Sequence, residues 1–200
     1  MDVLQQRFVQ DALHNDCNRV LLERLAELDL PNAWLVGGCL FQTVWNRLSG
    51  RPPQAGIRDY DIFYFDPDDL SEAGELAINQ RALTCFAGLG AQLELKNQAR
   101  VHTWYPTYFG RPCPPLQSAC EGIDRFLVGS TSVGMRQQGG QATVYAPYGL
   151  DDLYQGILRA NPAVDHGPLY EKKVRDYQAR WNWLRMPDLA NTAPSASDFA

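Results

Sequence analysis

The sequence is short of the features that assign a chain quickly. It has no run of the roughly 18 to 20 apolar residues that a membrane helix needs, and its start, MDVLQQRFVQDALHNDC, has no basic region followed by an apolar core. A cytoplasmic protein with no membrane partner is the expectation. Positive charge is also scarce: 18 Lys and Arg against 23 Asp and Glu give a net charge of −5. Proteins that coat nucleic acid rely on clustered cations, so bulk nucleic-acid binding is not expected, although a local basic patch is compatible with the total. Cysteine occurs as five scattered residues (Cys17, Cys39, Cys85, Cys113, Cys120) with no Cys-x-x-Cys, and His14, His102 and His166 do not fall at zinc spacing around them. Reduced structural thiols are the expectation. The G-x-G-x-x-G and G-K-[ST] elements of dinucleotide and P-loop sites are missing as well.

What is present suits one domain: 200 residues, 45% apolar and 20% charged. Residues 1–187 form the expected domain, with 33–136 as its core, and the polar stretch Asp188–Ala200 reads as a disordered tail. Leu4, Phe8, Leu21, Leu25 and Leu28 recur at helical spacing, and the polar break His14–Asp16 divides two helices. Ala33–Val36 reads as a buried strand, and Leu40, Val44 and Leu48 return to helical period after Gly38. Arg58–Phe65 and Ala91–Leu95 read as strands. Between them Asp66-Pro67-Asp68-Asp69 looks like the start of a helix over Leu70–Leu89, with Asp as cap. Asn97–Phe109 fits strand or helix, and Leu116–Phe126 a short helix. Ser130–Arg136 and Ala142–Tyr145 form an expected hairpin, Gly149–Leu158 a short helix, and Leu169–Leu184 a last amphipathic helix. Trp181 and Trp183 read as packing residues.

The chemistry concentrates between Trp34 and Phe65. Gly37 and Gly38 sit at a strand-to-helix turn, where the backbone can approach a ligand and free helix amides can meet phosphate oxygens. A plain turn would use the same pair. Asp59 and Asp61, two apart on a strand, face one side about 6.5 to 7 Å apart, as carboxylates that hold divalent metal for phosphoryl or nucleotidyl transfer must. Acids are poor strand residues that repel one another, which suggests use, although a solvent-facing edge strand would also carry them. Glu94 stands alone between Leu93 and Leu95 in the next strand, where a third carboxylate would lie. Arg58, Lys96, Arg100 and Arg136, beside these strands, are the candidate phosphate-binding cations. Asn97, Gln98 and His102 form a polar cluster suited to recognition or to structural hydrogen bonds.

Gly-Gly at a helix start, Asp-x-Asp between apolar residues and a lone acid in the next strand together resemble the nucleotidyltransferase superfamily of DNA polymerase β. GGCLFQTVWNRLSG, IRDYDIFYFD, LKNQARVHTWY, STSVGMR and YGLDDLYQGILRANP resemble, more closely, a small bacterial family of nucleotidyltransferase-like proteins. This resemblance spans Trp34 to Trp183 and implies an α+β fold, a mixed sheet flanked by helices with the N- and C-terminal helices packed on it. It further implies Asp59, Asp61 and Glu94 as ligands of two Mg2+ ions, and Gly37 and Gly38 near the triphosphate of ATP or another nucleoside triphosphate (NTP). Gln42 after the turn and the strand-side cations Arg58, Lys96 and Arg100 are the further nucleotide-binding candidates. The acceptor could be a small molecule, a protein or an RNA end. A nucleotide-binding module without catalysis, or a metal-dependent phosphohydrolase, are the alternatives.

Overall fold

The computed structural model describes residues 1–164 and 167–187. Helix α1 (Val3–Leu13) opens on a reciprocal cap: the Gln5 amide donates to the Asp2 carboxylate at 2.8 Å, and the Asp2 amide donates to the Gln5 side chain at 3.2 Å. The polar break does divide two helices, because Asn15 caps α2 (Asp16–Arg24) by accepting from the amides of Cys17 and Asn18.

A five-stranded sheet follows the order β3-β2-β1-β4-β5, with β1 at Trp34–Val36, β2 at Asp59–Tyr64, β3 at Gln92–Asn97, β4 at Gly134–Gln138 and β5 at Gln141–Tyr145. The β2–β3 pair is parallel and the other pairs are antiparallel, so the expected mixed α+β sheet is present. Parallel strands require a crossover, which α4 (Glu72–Cys85) supplies. The β4–β5 hairpin closes on Gly139 and Gly140, both at positive φ (55° and 76°), the conformation that tight hairpin turns need.

Helix α3 (Gly38–Leu48) runs from the end of β1 into the centre of the molecule and is buried on nearly every side. α5 (Val101–Phe109) resolves the ambiguous stretch as helix, preceded by a 3-10 turn, and runs through Pro106. α6 (Ala119–Ile123), α7 (Asp151–Gln155) and α8 (Gly167–Arg180) complete the order. Among the described residues no helix is long and apolar enough to cross a membrane. The five cysteines are free thiols. The expected tail at Asp188–Ala200 lies outside the described residues.

Several boundaries differ from expectation, for local reasons. Asp66 and Asp69 do not cap α4: each carboxylate accepts from the amide two residues on, at Asp68 and Ser71, which makes turns, and Ser71 is the cap. β3 runs two residues beyond Leu95 because the Asn97 amide finds the buried carboxylate of Glu75 at 2.8 Å. The first hairpin strand starts only at Gly134, residues Gly129–Thr131 forming a 3-10 turn. α6 occupies only the centre of its expected span, capped by Ser118. α8 stops at Arg180, although Trp181 and Leu184 remain buried beyond its end.

β2 alternates strictly: Tyr60, Ile62 and Tyr64 are buried in the main core with α1, α2 and α3, while Asp59, Asp61 and Phe63 face the other side. A buried polar knot fixes that orientation. Asn15 donates to Thr43 at 3.0 Å and to the Tyr60 hydroxyl at 3.2 Å, and Asn18 donates to the Cys39 carbonyl at 3.0 Å. α2, α3 and β2 are thereby joined under the strand that carries the acids. Asn15→Ala removes a helix cap worth about 1 kcal/mol and leaves buried hydroxyls short of a partner, at about 1 to 3 kcal/mol more. The expected outcome in thermal unfolding is a midpoint lower by about 5 to 15 °C, and a midpoint within about 2 °C of the parent would contradict this role for the knot.

Candidate functional site

Gly37 has φ +63°, and a Cβ there would meet the Phe126 ring at 2.9 Å, so this turn demands glycine on both counts. Its amide donates to the Val133 carbonyl at 2.9 Å. The turn leaves β1 directly after Val36, which pairs with Asp61. The first turn of α3, where amides have no intrahelical acceptor, therefore starts beside the Asp59–Asp61 end of β2. The buried Cys39 thiol in that turn feels the same neighbours: burial first, and then the charges of Asp61 and Asp59, push it well up.

Asp61 and Glu94 are register partners on parallel strands, and Asp59 pairs with Gln92 one step towards the strand start. All three acids thus share one face of the sheet. Burial, then Asp59, then Glu94 raise the Asp61 carboxyl from 3.8 to about 7, against the opposing pull of Lys173 and Lys96. The side chains have not gathered into a metal cage: among the described residues no group of three or more His, Cys, Asp or Glu is set to hold an ion. Glu94 is instead ion-paired with Lys96 at 3.1 Å. Asp59 and Glu94 both act on Asp61 as like charges, and Lys96 offsets the charge of Glu94.

A groove of about 400 Å³ opens beside Asp59, lined by Gln42, Arg58, Lys173 and Arg180 among others. It lies where α8 and the residue after it dock on α3 through rings, Tyr177 lying 5.5 Å from Phe41 and Trp181 lying 5.3 Å from Trp45, centroid to centroid. The Trp181 indole also donates to the Asn46 side chain at 3.0 Å. Gln42 accepts from the Arg180 guanidinium at 2.7 Å.

Asp59, Asp61, Glu94, Lys96, Gly37, Gly38, Gln42 and Arg58 therefore come to one edge of the sheet. Arg100 does not. It is buried in an ion pair with Glu75 at 2.7 Å and donates to the Leu70 carbonyl, tying α5 to the start of α4. Asn97 is likewise committed, donating to the carbonyls of Asp66 and Asp69, and Gln98 packs against Gly122. Arg136 lies on β4, beyond β1 from the acids, stacked 4.5 Å over the Trp34 ring. Among the described residues the His102 Nδ1 is buried without a hydrogen-bond partner. Lys173 and Arg180 are not visible as site residues from the sequence. The spacing of 173, 177 and 180 gives one helix face with cations at both ends, but only the docking direction of α8 brings that face to the acids.

The family profile described as "Nucleotidyltransferase" matches residues 23–186. The chain belongs to this nucleotidyltransferase family. A solved structure, described as an NMR structure that reveals a CCA-adding enzyme head domain, superposes with a TM-score of 0.75 at 25% identity, covering 92% of this chain and 95% of that one. Comparison with curated proteins gives no match. The mixed sheet, the Gly-Gly turn and the strand acids are thus found in a member of a family whose chemistry is nucleotidyl transfer.

The geometry around Asp61 and Arg100 has two measurable consequences. An unfolded Asp titrates near 3.8 and the folded Asp61 at about 7, so the native state holds the extra proton between these values. The contribution of Asp61 to stability falls as pH rises through that window, and the loss is complete above about 7. Asp61→Asn removes the loss: at about pH 8 the variant is expected to be more stable by about 2 to 4 kcal/mol, with the difference gone near about pH 4. Denaturant titrations at both pH values check the sign, and an equal difference at both would refute it. Arg100→Ala, which strands a buried Glu75, should cost about 3 to 5 kcal/mol while leaving nucleotide affinity, measured by calorimetry below the new unfolding midpoint, unchanged.

Proposed function

We propose that this protein moves a nucleoside monophosphate from an NTP to an acceptor hydroxyl or phosphate in the cytoplasm, with the help of two Mg2+ ions. The observation that carries this reading is the placement of Asp59 and Asp61 on one face of β2, opposite the end of β1 where Gly37 turns the chain into α3. The donor set fits magnesium, which takes hard oxygen ligands and is ordinarily held by one or two carboxylates while substrate phosphates complete its shell. Asp59 and Asp61 would hold the ions, and Glu94, the register partner of Asp61, would support one of them. When bound, magnesium neutralises charge on the phosphates and stabilises the attacking and leaving oxygens.

The protein's own groups do the rest. The amides of the first α3 turn and Arg58 orient the β- and γ-phosphates so that the bond to the α-phosphorus lies in line with the acceptor. The acceptor oxygen bonds to the α-phosphorus, the α–β bridge breaks and pyrophosphate leaves. Glu94, half-exposed beside Lys96, would receive the acceptor's proton. With Asp61 carrying a proton until about pH 7 in the free protein, magnesium and nucleotide are expected to bind with proton release at about pH 6 and with little at about pH 8.5.

Replacing Asp59 or Asp61 by Ala should lower pyrophosphate release by about 100-fold or more, since such ions supply several kcal/mol of transition-state stabilisation. Circular dichroism should be unchanged. The assay runs ATP, GTP, CTP and UTP against small-molecule, protein and RNA-end acceptors, and full turnover in either variant would eliminate the mechanism. The Glu94–Lys96 ion pair favours one second reading, a nucleotide-binding module without catalysis. Magnesium-dependent nucleotide binding in calorimetry with no product after long incubation would establish it, and release of inorganic phosphate instead of pyrophosphate would indicate hydrolysis.

A further inference from the structure

The edge of the sheet that carries the acids is poor in cations where phosphates would enter. The first turns of α3 read Gly38-Cys39-Leu40-Phe41-Gln42-Thr43, and the first base on that helix, Arg47, is at its far end and ion-paired with Asp11 at 2.9 Å. Lys96 is drawn to Glu94, and Arg100 and Arg136 are committed elsewhere. A polyphosphate needs charge compensation from another element.

That element is α8. Lys173, Tyr177 and Arg180 follow one another at i, i+4 and i+7 on one helix face, and together with Arg58 and Gln42 they line the groove beside Asp59. Arg51 approaches from the loop after α3, donating to the Arg180 carbonyl at 2.9 Å. Among the described residues none of Arg51, Arg58, Lys173 and Arg180 makes an ion pair with an acidic side chain. Asp176 lines the same groove, so three cations there face Asp59 and Asp176. Burial, and then the neighbouring Arg51, lower the Arg180 guanidinium, with Arg58 adding to the repulsion. Arg180 is nonetheless held in place: it donates to Gln42 at 2.7 Å and to the Gly56 carbonyl at 3.0 Å, and lies 4.1 Å over the Trp181 ring. A guanidinium fixed beside other cations offers a planar fork that matches phosphate oxygens.

We infer that the groove between α3 and α8 is the polyphosphate subsite, with Lys173 and Arg180 joining Arg58 to bind the β- and γ-phosphates of the NTP. The C-terminal helix is therefore part of the substrate site, not packing alone. This inference rests on the transferase reading, yet it makes a claim about binding that can be tested without turnover.

The experiment measures binding of inorganic tripolyphosphate, and separately of ATP with magnesium, to the folded protein by calorimetry at two salt concentrations. Lys173→Gln alters an exposed side chain and should leave the unfolding midpoint unchanged, weaken tripolyphosphate binding about tenfold and reduce its salt dependence. Lys172→Gln, its neighbour off the groove, should bind as the parent does. Arg180→Lys, which keeps charge but loses the fork, should weaken binding while Arg180→Gln weakens it further. Parent-like tripolyphosphate affinity in Lys173→Gln, or no tripolyphosphate binding by the parent, would overturn the subsite. If affinity depends on Lys173 and no nucleotide is ever transferred, the subsite stands and the transferase reading falls. Turnover that is indifferent to Lys173 and Arg180 does the reverse: the transferase reading stands and the subsite falls.

Discussion

Helix α3 is enclosed on nearly all sides, and this enclosure sets the positions of everything around it. A buried helix must satisfy its polar side chains inside the protein, and the two that α3 carries in the core act as anchors. Thr43 donates to the Cys39 carbonyl at 2.6 Å and accepts from Asn15, which ties the helix to α2 and to Tyr60. Asn46 accepts from Trp181 and donates to the carbonyls of Pro53 and Ala55, which fixes both the end of α8 and the loop that leads into β2. The first turn at one end, the acids at its side and the cationic groove along its flank are consequences of where this one helix is allowed to sit.

Charge is divided between elements in a way that simple stability would not favour. The sheet carries Asp59, Asp61 and Glu94, while Lys173 and Arg180 come from α8 and Arg51 and Arg58 from the segment between α3 and β2, with Asp176 of α8 and Lys96 of β3 as the exceptions. Lys173 is close enough to Asp61 to pull against the rise in its titration, yet among the ion pairs of the described residues the two are not joined. Direct pairing across the groove would neutralise both partners and close the space between them. Keeping them apart leaves the folded protein with like charges close together around Asp61 and around Arg180.

Much of this was legible in the sequence, for identifiable reasons. The alternation Asp59-Tyr60-Asp61-Ile62 is a local pattern with one structural meaning, and Gly37 lies where a short apolar run gives way to helical period. Glu94 is conspicuous because a lone acid between leucines stands out. The polar cluster after it was misleading: Asn97 and Arg100 face inward, because the turn at Asp66–Ser71 presents carbonyls, and α4 a carboxylate, that need partners. Nothing local to those residues announces a need that arises about 30 positions earlier. Lys173 and Arg180 were illegible for the opposite reason, since amphipathic spacing shows that α8 packs but not onto what.

Tyr60 links the two sides of the problem. Its hydroxyl lies in the Asn15–Thr43 knot on the core face, while its neighbours Asp59 and Asp61 point to the other face. Because strand side chains alternate with a period of two, a slip of β2 by one residue would carry both carboxylates into the apolar core and expel Tyr60, Ile62 and Tyr64. The repulsion between the acids pushes against their own placement, but the alternative register exposes three large side chains and breaks the knot. Burial of the aromatic face, at about 1.5 to 3 kcal/mol for each large side chain, exceeds what separating two carboxylates would return. The strand can therefore carry an unfavourable pair of charges in a fixed position, which is the condition for using them to hold an ion.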